Sequence, residues 1–280
     1  MLNYIKQKIR AAIVLKYKNI ALLVLLILPL IKANMSQAET LKVCYDQWAP
    51  MTIFPTEASP NRGVVIDMLE NIFTEKGYDI EYYEVPLARG LDMVAEGLCD
   101  MLPEYLLSPS SENDFVYASE PTFSYSTAFV IRRDDPWRYN GIHSIEGKRI
   151  ATGAGWDYSS VSVDYQHYID AQEHSGLVEV IAGTDDVVER IFQMIKANRV
   201  DLYADNDLVL QHTLNRLNLQ NDLQIIRPGL DKKLVEMPIF STTIPEAKRL
   251  ELIRIWNEGR VAMRGEKETL LLKKYNVTIQ

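Results

Sequence analysis

From residue 41 onward, short apolar runs alternate with longer stretches in which apolar residues recur every three or four positions. That is the pattern of strands alternating with amphipathic helices. The clearest case is 85–105, VPLARGLDMVAEGLCDMLPEY. Leu87, Leu91, Val94, Ala95 and Leu98 share one helical face. Gly97 supplies a residue free to take positive φ where that helix ends. Residues 99–102 then form a short, mostly apolar run that suits a parallel strand covered on both faces. Pro103 is expected to stop the strand, so that Glu104 and Tyr105 emerge at its carboxyl end, where open α/β sheets bind their ligands.

The same reading gives a strand at 41–45, a polar and aromatic lip at 46–51, a helix at 64–76 ending at Gly77 and a strand at 79–85. The first part is therefore β-α-β-α-β, which predicts a parallel sheet with helical crossovers. A strand follows at 127–131, and the charged run 132–136, closed by Pro136, reads as a solvated connection and a first domain crossing. A strand within 145–152 runs into Gly153-Ala154-Gly155-Trp156-Asp157-Tyr158. This turn lacks both the G-x-G-x-x-G spacing and the P-loop lysine, so it reads as a tight turn rather than a phosphate cradle.

A helix from 159, a strand at 178–181, a helix at 184–197 capped by Thr184 and Asp185, and a strand at 200–204 ending in Asp205, Asn206 and Asp207 follow. A helix to 217 and a strand at 223–226 complete a second α/β unit. Breaker-rich residues 228–233 lead to a strand at 234–240 and to a helix begun by Pro245, with Leu250, Ile253, Trp256 and Val261 on its apolar side. A short helix at 270–275 ends the pattern. The chain is thus expected to build domain 1 from 39–133, leave it for domain 2 at 134–232, and return through 233–280.

The first 38 residues stand apart. Lys6, Lys8, Arg10, Lys16 and Lys18 precede an apolar core at 20–31, and Ser36 and Ala38 occupy the −3 and −1 positions of a cleavage site before Glu39. That is the layout of a secretory signal peptide; the competing reading, an uncleaved anchor, has only about 12 apolar residues against the roughly 20 needed to span a bilayer. The segment holds six of the 30 basic residues and no acid. Its removal leaves 24 basic residues against 38 acidic ones, a net charge of −14 in place of −8. An exported chain so acidic, without a basic patch, is not a nucleic-acid binder.

Two cysteines, Cys44 and Cys99, fall on short apolar runs. Either they pair, as an oxidising compartment allows, or they sit as two small buried hydrophobes. Four scattered histidines (143, 167, 174 and 212) make no zinc pattern, and no cofactor motif is present, so neither a metal nor a cofactor is expected.

Several local motifs occur in one order. They are Trp48-Ala49-Pro50-Met51 after the first strand, Gly63 and Asp67 at the first helix, Gly97 and Asp100, Ser119-Glu120-Pro121, 144–150 followed by Gly155, and Asn198-Arg199-Val200-Asp201. Together they resemble the family 3 extracytoplasmic solute-binding proteins, and the resemblance covers nearly all of 41–275. It implies an α/β, two-domain periplasmic-binding-protein (type II) fold with two interdomain crossings, acting as a monomer in the periplasm. It also implies an amino acid or amine-like solute and the membrane subunits of an ABC importer as partners. Amino-acid binders of this family carry a T-x-x-R whose arginine holds the ligand carboxylate. Here 108–113 read SPSSEN, with no arginine. Glutamate cannot replace a guanidinium anchor, and Arg89 is the nearest alternative.

By position, Trp48, Glu104, Tyr105, Trp156, Asp157, Asp205 and Asn206 are expected to face the cleft, with Arg89 at its edge. Carboxylates and tryptophans suit a cationic or zwitterionic ligand. Two other classes share these features. One is a periplasmic enzyme of the same fold, dehydratase-like, with Glu104 and Asp157 as acid and base. The other is a ligand-sensing partner of a membrane receptor. The reading adopted is a binding protein, not an enzyme.

Overall fold

The computed structural model describes Met1 and residues 39–106, 115–183, 185–230 and 233–277. The expected leader (all but Met1) and the arginine-free segment 108–113 lie outside the described residues. The elements begin with β1 (Glu39–Tyr45), α1 (Val64–Thr74), β2 (Tyr78–Glu84), α2 (Leu87–Ala95) and β3 (Met101–Leu106). Next come β4 (Val116–Tyr117), β5 (Phe123–Tyr125), β6 (Thr127–Arg132), β7 (Ile150–Gly153), α3 (Val163–Asp170) and β8 (Val178–Ile181). The chain continues with α4 (Val187–Lys196), β9 (Leu202–Asn206), α5 (Asp207–Arg216) and β10 (Leu223–Ile226). It ends with β11 (Leu234–Phe240), α6 (Glu246–Met263) and α7 (Glu266–Lys274).

One sheet has the order β2-β1-β3-β11-β4, with β5 also on β11. Its β1 and β3 are parallel, Val43 opposite Met101, as the β-α-β pattern requires. The returning β11 runs antiparallel to β3, β4 and β5. The other sheet has the order β10-β6-β9-β7-β8, with β6 antiparallel to both neighbours and β7 parallel to β8 and β9. The chain changes sheets at Ser126 and returns between β10 and β11.

The first change of sheet therefore falls before the charged run 132–136, where the sequence placed it. The apolar residues of β6, Ala128 to Ile131, are wholly buried and pair with β9 and β10, so this strand belongs to the second sheet. Arg132 and Asp135 form the solvated connection as read, but within that sheet, where Arg132 reaches Asp201.

Three further readings shift. Helix α4 is capped by Asp186, whose side chain accepts from the Glu189 N–H at 2.9 Å, not by Thr184 and Asp185; Thr184 lies outside the described residues. Helix α3 starts at Val163, with Ser162 as its cap, because 157–161 are spent on the turn. In α6 the buried face is Leu252, Ile255, Trp256, Arg260 and Met263, spaced as one helical stripe. Leu250 and Val261 fall on the other side and are exposed, as is Leu98 beyond the end of α2.

Strand β3 also runs through Pro103 rather than ending there. Proline cannot donate to a ladder, and the pairing shifts at that point: Tyr105 faces Met237 and Leu102 faces Ile239, so Pro103 and Glu104 together oppose Pro238. This is a bulge, a device that re-aims a side chain beside a site. The free carbonyl of Pro103 accepts from the Thr122 hydroxyl at 2.5 Å. Just before the strand, Cys44 and Cys99 form a disulfide that joins β1 to the entry of β3, and both are fully buried. Asp100 accepts from the Lys42 N–H and holds the Lys248 ammonium on both oxygens, each contact at 2.8 Å.

Candidate functional site

The bulge, the lip after β1, the turn after β7 and the end of β9 meet at a cleft of about 570 Å³, open solvent included. Five carboxylates line it: Asp46, Glu104, Asp157, Asp205 and Glu236. Its apolar walls include Trp48, Trp156, Leu87, Leu106 and Leu234. Among the described residues, no lysine or arginine lines it.

Glu104 comes from the bulge in β3 and is 8% exposed. Its Oε1 accepts from the Tyr125 hydroxyl at 3.0 Å, while its Oε2 is buried without a partner. Burial first, and then the neighbouring Glu236 charge, push its carboxyl well above the usual range; the Tyr125 bond opposes them. Glu236 comes from β11, where it stands opposite Leu106 and is 7% exposed. Two residues further along the same face of a strand lies Glu104, so the pairing of β11 with β3 sets the two acids on one side of the sheet. Burial raises Glu236 as well, and among the described residues the charges acting on it are the carboxylates Asp205, Asp46 and Asp157.

The other three acids have donors. Asp205 accepts from the indole N–H of Trp48 at 3.2 and 3.3 Å, from the Asn206 N–H at 2.6 Å and from the Tyr203 hydroxyl. Trp48 follows β1 and Asp205 belongs to β9, so this bond links the two sheets across the cleft. Burial still moves Asp205 up to about 6 against those three donors. Asp46 is pushed up to about 7 by burial and the Asp205 charge, while the Trp156 indole holds it down. Asp157 accepts from the Ser159 N–H at 2.7 Å, a local turn that its short side chain closes on its own backbone.

The glycine-rich turn works as a turn. The Trp156 ring folds back over Gly153, where a Cβ would fall within 3 Å of the indole, and the Gly153 N–H donates to the Tyr158 hydroxyl at 2.7 Å. The donor that a phosphate would need is thus already used.

Six of the eight residues expected at the site line the cleft: Trp48, Glu104, Tyr105, Trp156, Asp157 and Asp205. Asn206 does not. It is wholly buried and caps α5, its side chain accepting from the Leu208 N–H at 2.8 Å. Arg89 is also elsewhere: it is exposed and its nearest acid is Glu96 at 3.8 Å. Leu87, two residues earlier on α2, does face the cleft, and two helical steps turn a side chain through about 200°. Asp46, in the polar lip, and Glu236 were not among the expected residues.

Residues 41–279 match the model of the bacterial extracellular solute-binding proteins, family 3. Among solved structures the chain is similar to an ancestral arginine-binding protein bound to glutamine, with 16% identity and a TM-score of 0.67 over 85% of this chain and 98% of that one. An amino acid ABC transporter substrate-binding protein from Streptococcus pneumoniae bound to L-arginine gives 14% identity and a TM-score of 0.67, covering 86% of this chain and 96% of that one. A histidine kinase sensor domain with similarity to periplasmic binding proteins gives 14% identity and a TM-score of 0.68, covering 85% and 96%. No curated protein matches the chain. At such identities the structural likeness establishes a shared fold, the type II periplasmic-binding-protein fold, and the family model covers 41–279: this chain is a member of family 3 of the bacterial extracellular solute-binding proteins.

Proposed function

We propose that the chain is an exported binding protein that captures a small cationic solute in the cleft and delivers it to an ABC importer. The observation that carries this is the lining itself: five carboxylates and two tryptophans, with no lysine or arginine among the described residues. The sequence of 107–114 contains no basic residue either. A carboxylate ligand entering this cleft meets like charge and no guanidinium, whereas an ammonium or guanidinium finds charge-assisted acceptors and indole faces. Closure of the two sheets on the solute rests on the two chain crossings between them, and export rests on the leader at 1–38. Related structures with the same fold serve importers and a kinase sensor, and delivery is read here from the family's binding proteins.

Thermal denaturation with a panel of small cations, zwitterions and anions tests the reading, since a ligand bound to the native state raises its melting temperature. Cations should raise it and anions should not. Stabilisation by anions alone overturns the proposal. Uptake of the stabilising solute by cells, lost on deletion of the gene, separates delivery from sensing, and recovery of the solute unchanged separates binding from catalysis.

A further inference from the structure

We infer that the solute is a carboxylate-free dication, with an ammonium or guanidinium at each end of a short apolar spacer. The inference rests on the cationic reading above and narrows it. The carboxylates of the cleft differ in what they still need. Asp205 accepts three hydrogen bonds that tie Trp48, Tyr203 and the start of α5 together, and Asp46 is engaged by Trp156. These two build the walls. Glu104 Oε2 is buried with no partner, and among the described residues the charges acting on Glu236 are those of Asp205, Asp46 and Asp157. Both are more than nine-tenths buried, on one face of the first sheet. Leaving a buried acceptor unsatisfied is costly, so this pair makes one pole for a cation. Asp157 makes a second pole. It sits in the turn after β7, on the second sheet, and among the described residues its Oδ1 accepts from the Ser159 N–H.

The charges within the cleft act on one another. Asp46 and Glu236 both act on Glu104, and Asp46, Asp157 and Asp205 all act on Glu236. A single positive charge leaves most of this repulsion in place. A zwitterionic amino acid brings in a sixth carboxylate and no net charge at all. A dication offsets two charges and adds none of the wrong sign, and like-charge rejection then excludes amino acids as firmly as attraction selects the diamine. Leu87, Leu106, Leu234 and the two indoles line the same cleft and present apolar surface that fits methylenes.

Titration calorimetry on the full chain with 1,5-diaminopentane, lysine and n-pentylamine separates the two charge effects. Lysine is the diamine with a carboxylate added, and pentylamine is the diamine with one charge removed. The diamine, or its best homologue from three to six carbons, should bind at least about tenfold more tightly than pentylamine and about a hundredfold more tightly than lysine, a tenfold step per 1.4 kcal/mol of lost charge pairing. Glu104→Gln and Glu236→Gln should each shrink the preference for diamine over monoamine, while circular dichroism and melting show the variants folded. Pentylamine binding as tightly as every diamine sinks the inference and leaves the cationic reading standing. Lysine binding more tightly than the diamines sinks it too. If none of the cations binds and an anion does, both readings fall.

Discussion

Strand β3 is bracketed by two buried acids that are treated in opposite ways. Asp100, just before it, holds the Lys248 ammonium on both oxygens and takes a backbone N–H as well. Four residues on, Glu104 is equally deep but has a single tyrosine hydroxyl on one oxygen and nothing on the other. The strongest charge acting on it is another acid, Glu236. A buried ion pair holds the frame together, whereas burial without a cation drives Glu104 toward its protonated form until a ligand brings a positive charge. The proposed ligand site lies at the acid for which the described residues provide no counter-charge.

The largest effect should come from taking the partner away at the frame end. Lys248→Met leaves Asp100 buried and unpaired, and urea denaturation at pH 7 should show a loss of about 2–4 kcal/mol, discounted for the partial exposure of the lysine. A loss below about 0.5 kcal/mol would erase the distinction drawn between the two acids.

A smaller effect of opposite sign is expected at the site end. Asp46 and Asp205 have folded values of about 7 and about 6, above the 3.8 of the unfolded chain. Between roughly pH 4 and pH 7 the folded form therefore binds more protons than the unfolded one, and stability falls as pH rises through that window. Without ligand, the melting temperature should be higher at pH 5 than at pH 8. Glu236→Gln, which removes a charge that burial disfavours, should raise the midpoint at pH 8 and change it less at pH 5. A variant less stable than its parent at pH 8 would mean that Glu236 has a counter-charge after all.

The smallest effect belongs to Arg89→Ala. Its guanidinium is exposed and only loosely opposed by Glu96, so stability should move by less than about 0.5 kcal/mol and solute affinity should not change by calorimetry. A large loss of affinity would return the carboxylate anchor to this position and reverse the charge reading of the cleft.

These outcomes also mark what a sequence can show. Glu104 was legible because a proline beside two polar residues interrupts an apolar run, although the interruption is a bulge and not an end. Asp205 and Trp156 were legible from their places at strand ends and turns. Glu236 was not, because it sits in the middle of an apolar strand and meets Glu104 only through the pairing of β11 with β3, more than 130 residues apart. A lone acid in LVEMPIF was the one available signal. Arg89 misled because a helix that begins at the cleft turns its side chains away within two residues. The membership of β6 depended on antiparallel partners at 202–206 and 223–226, which periodicity alone does not connect.

The hydrogen bond from the Trp48 indole to Asp205 has an optical consequence. Trp48 and Trp156 face the cleft, while Trp256 is fully buried and Trp137 packs against Phe129 and Tyr139 away from the cleft lining, their N–H groups held by the carbonyls of Glu120 and Ser144. Indole emission depends on the charge and water around the ring. The two interior chromophores therefore supply a steady background, and the two at the cleft supply the signal. The protein carries its own fluorescent gauge of occupancy, and titrating a solute while exciting tryptophan requires neither a label nor a change of sequence.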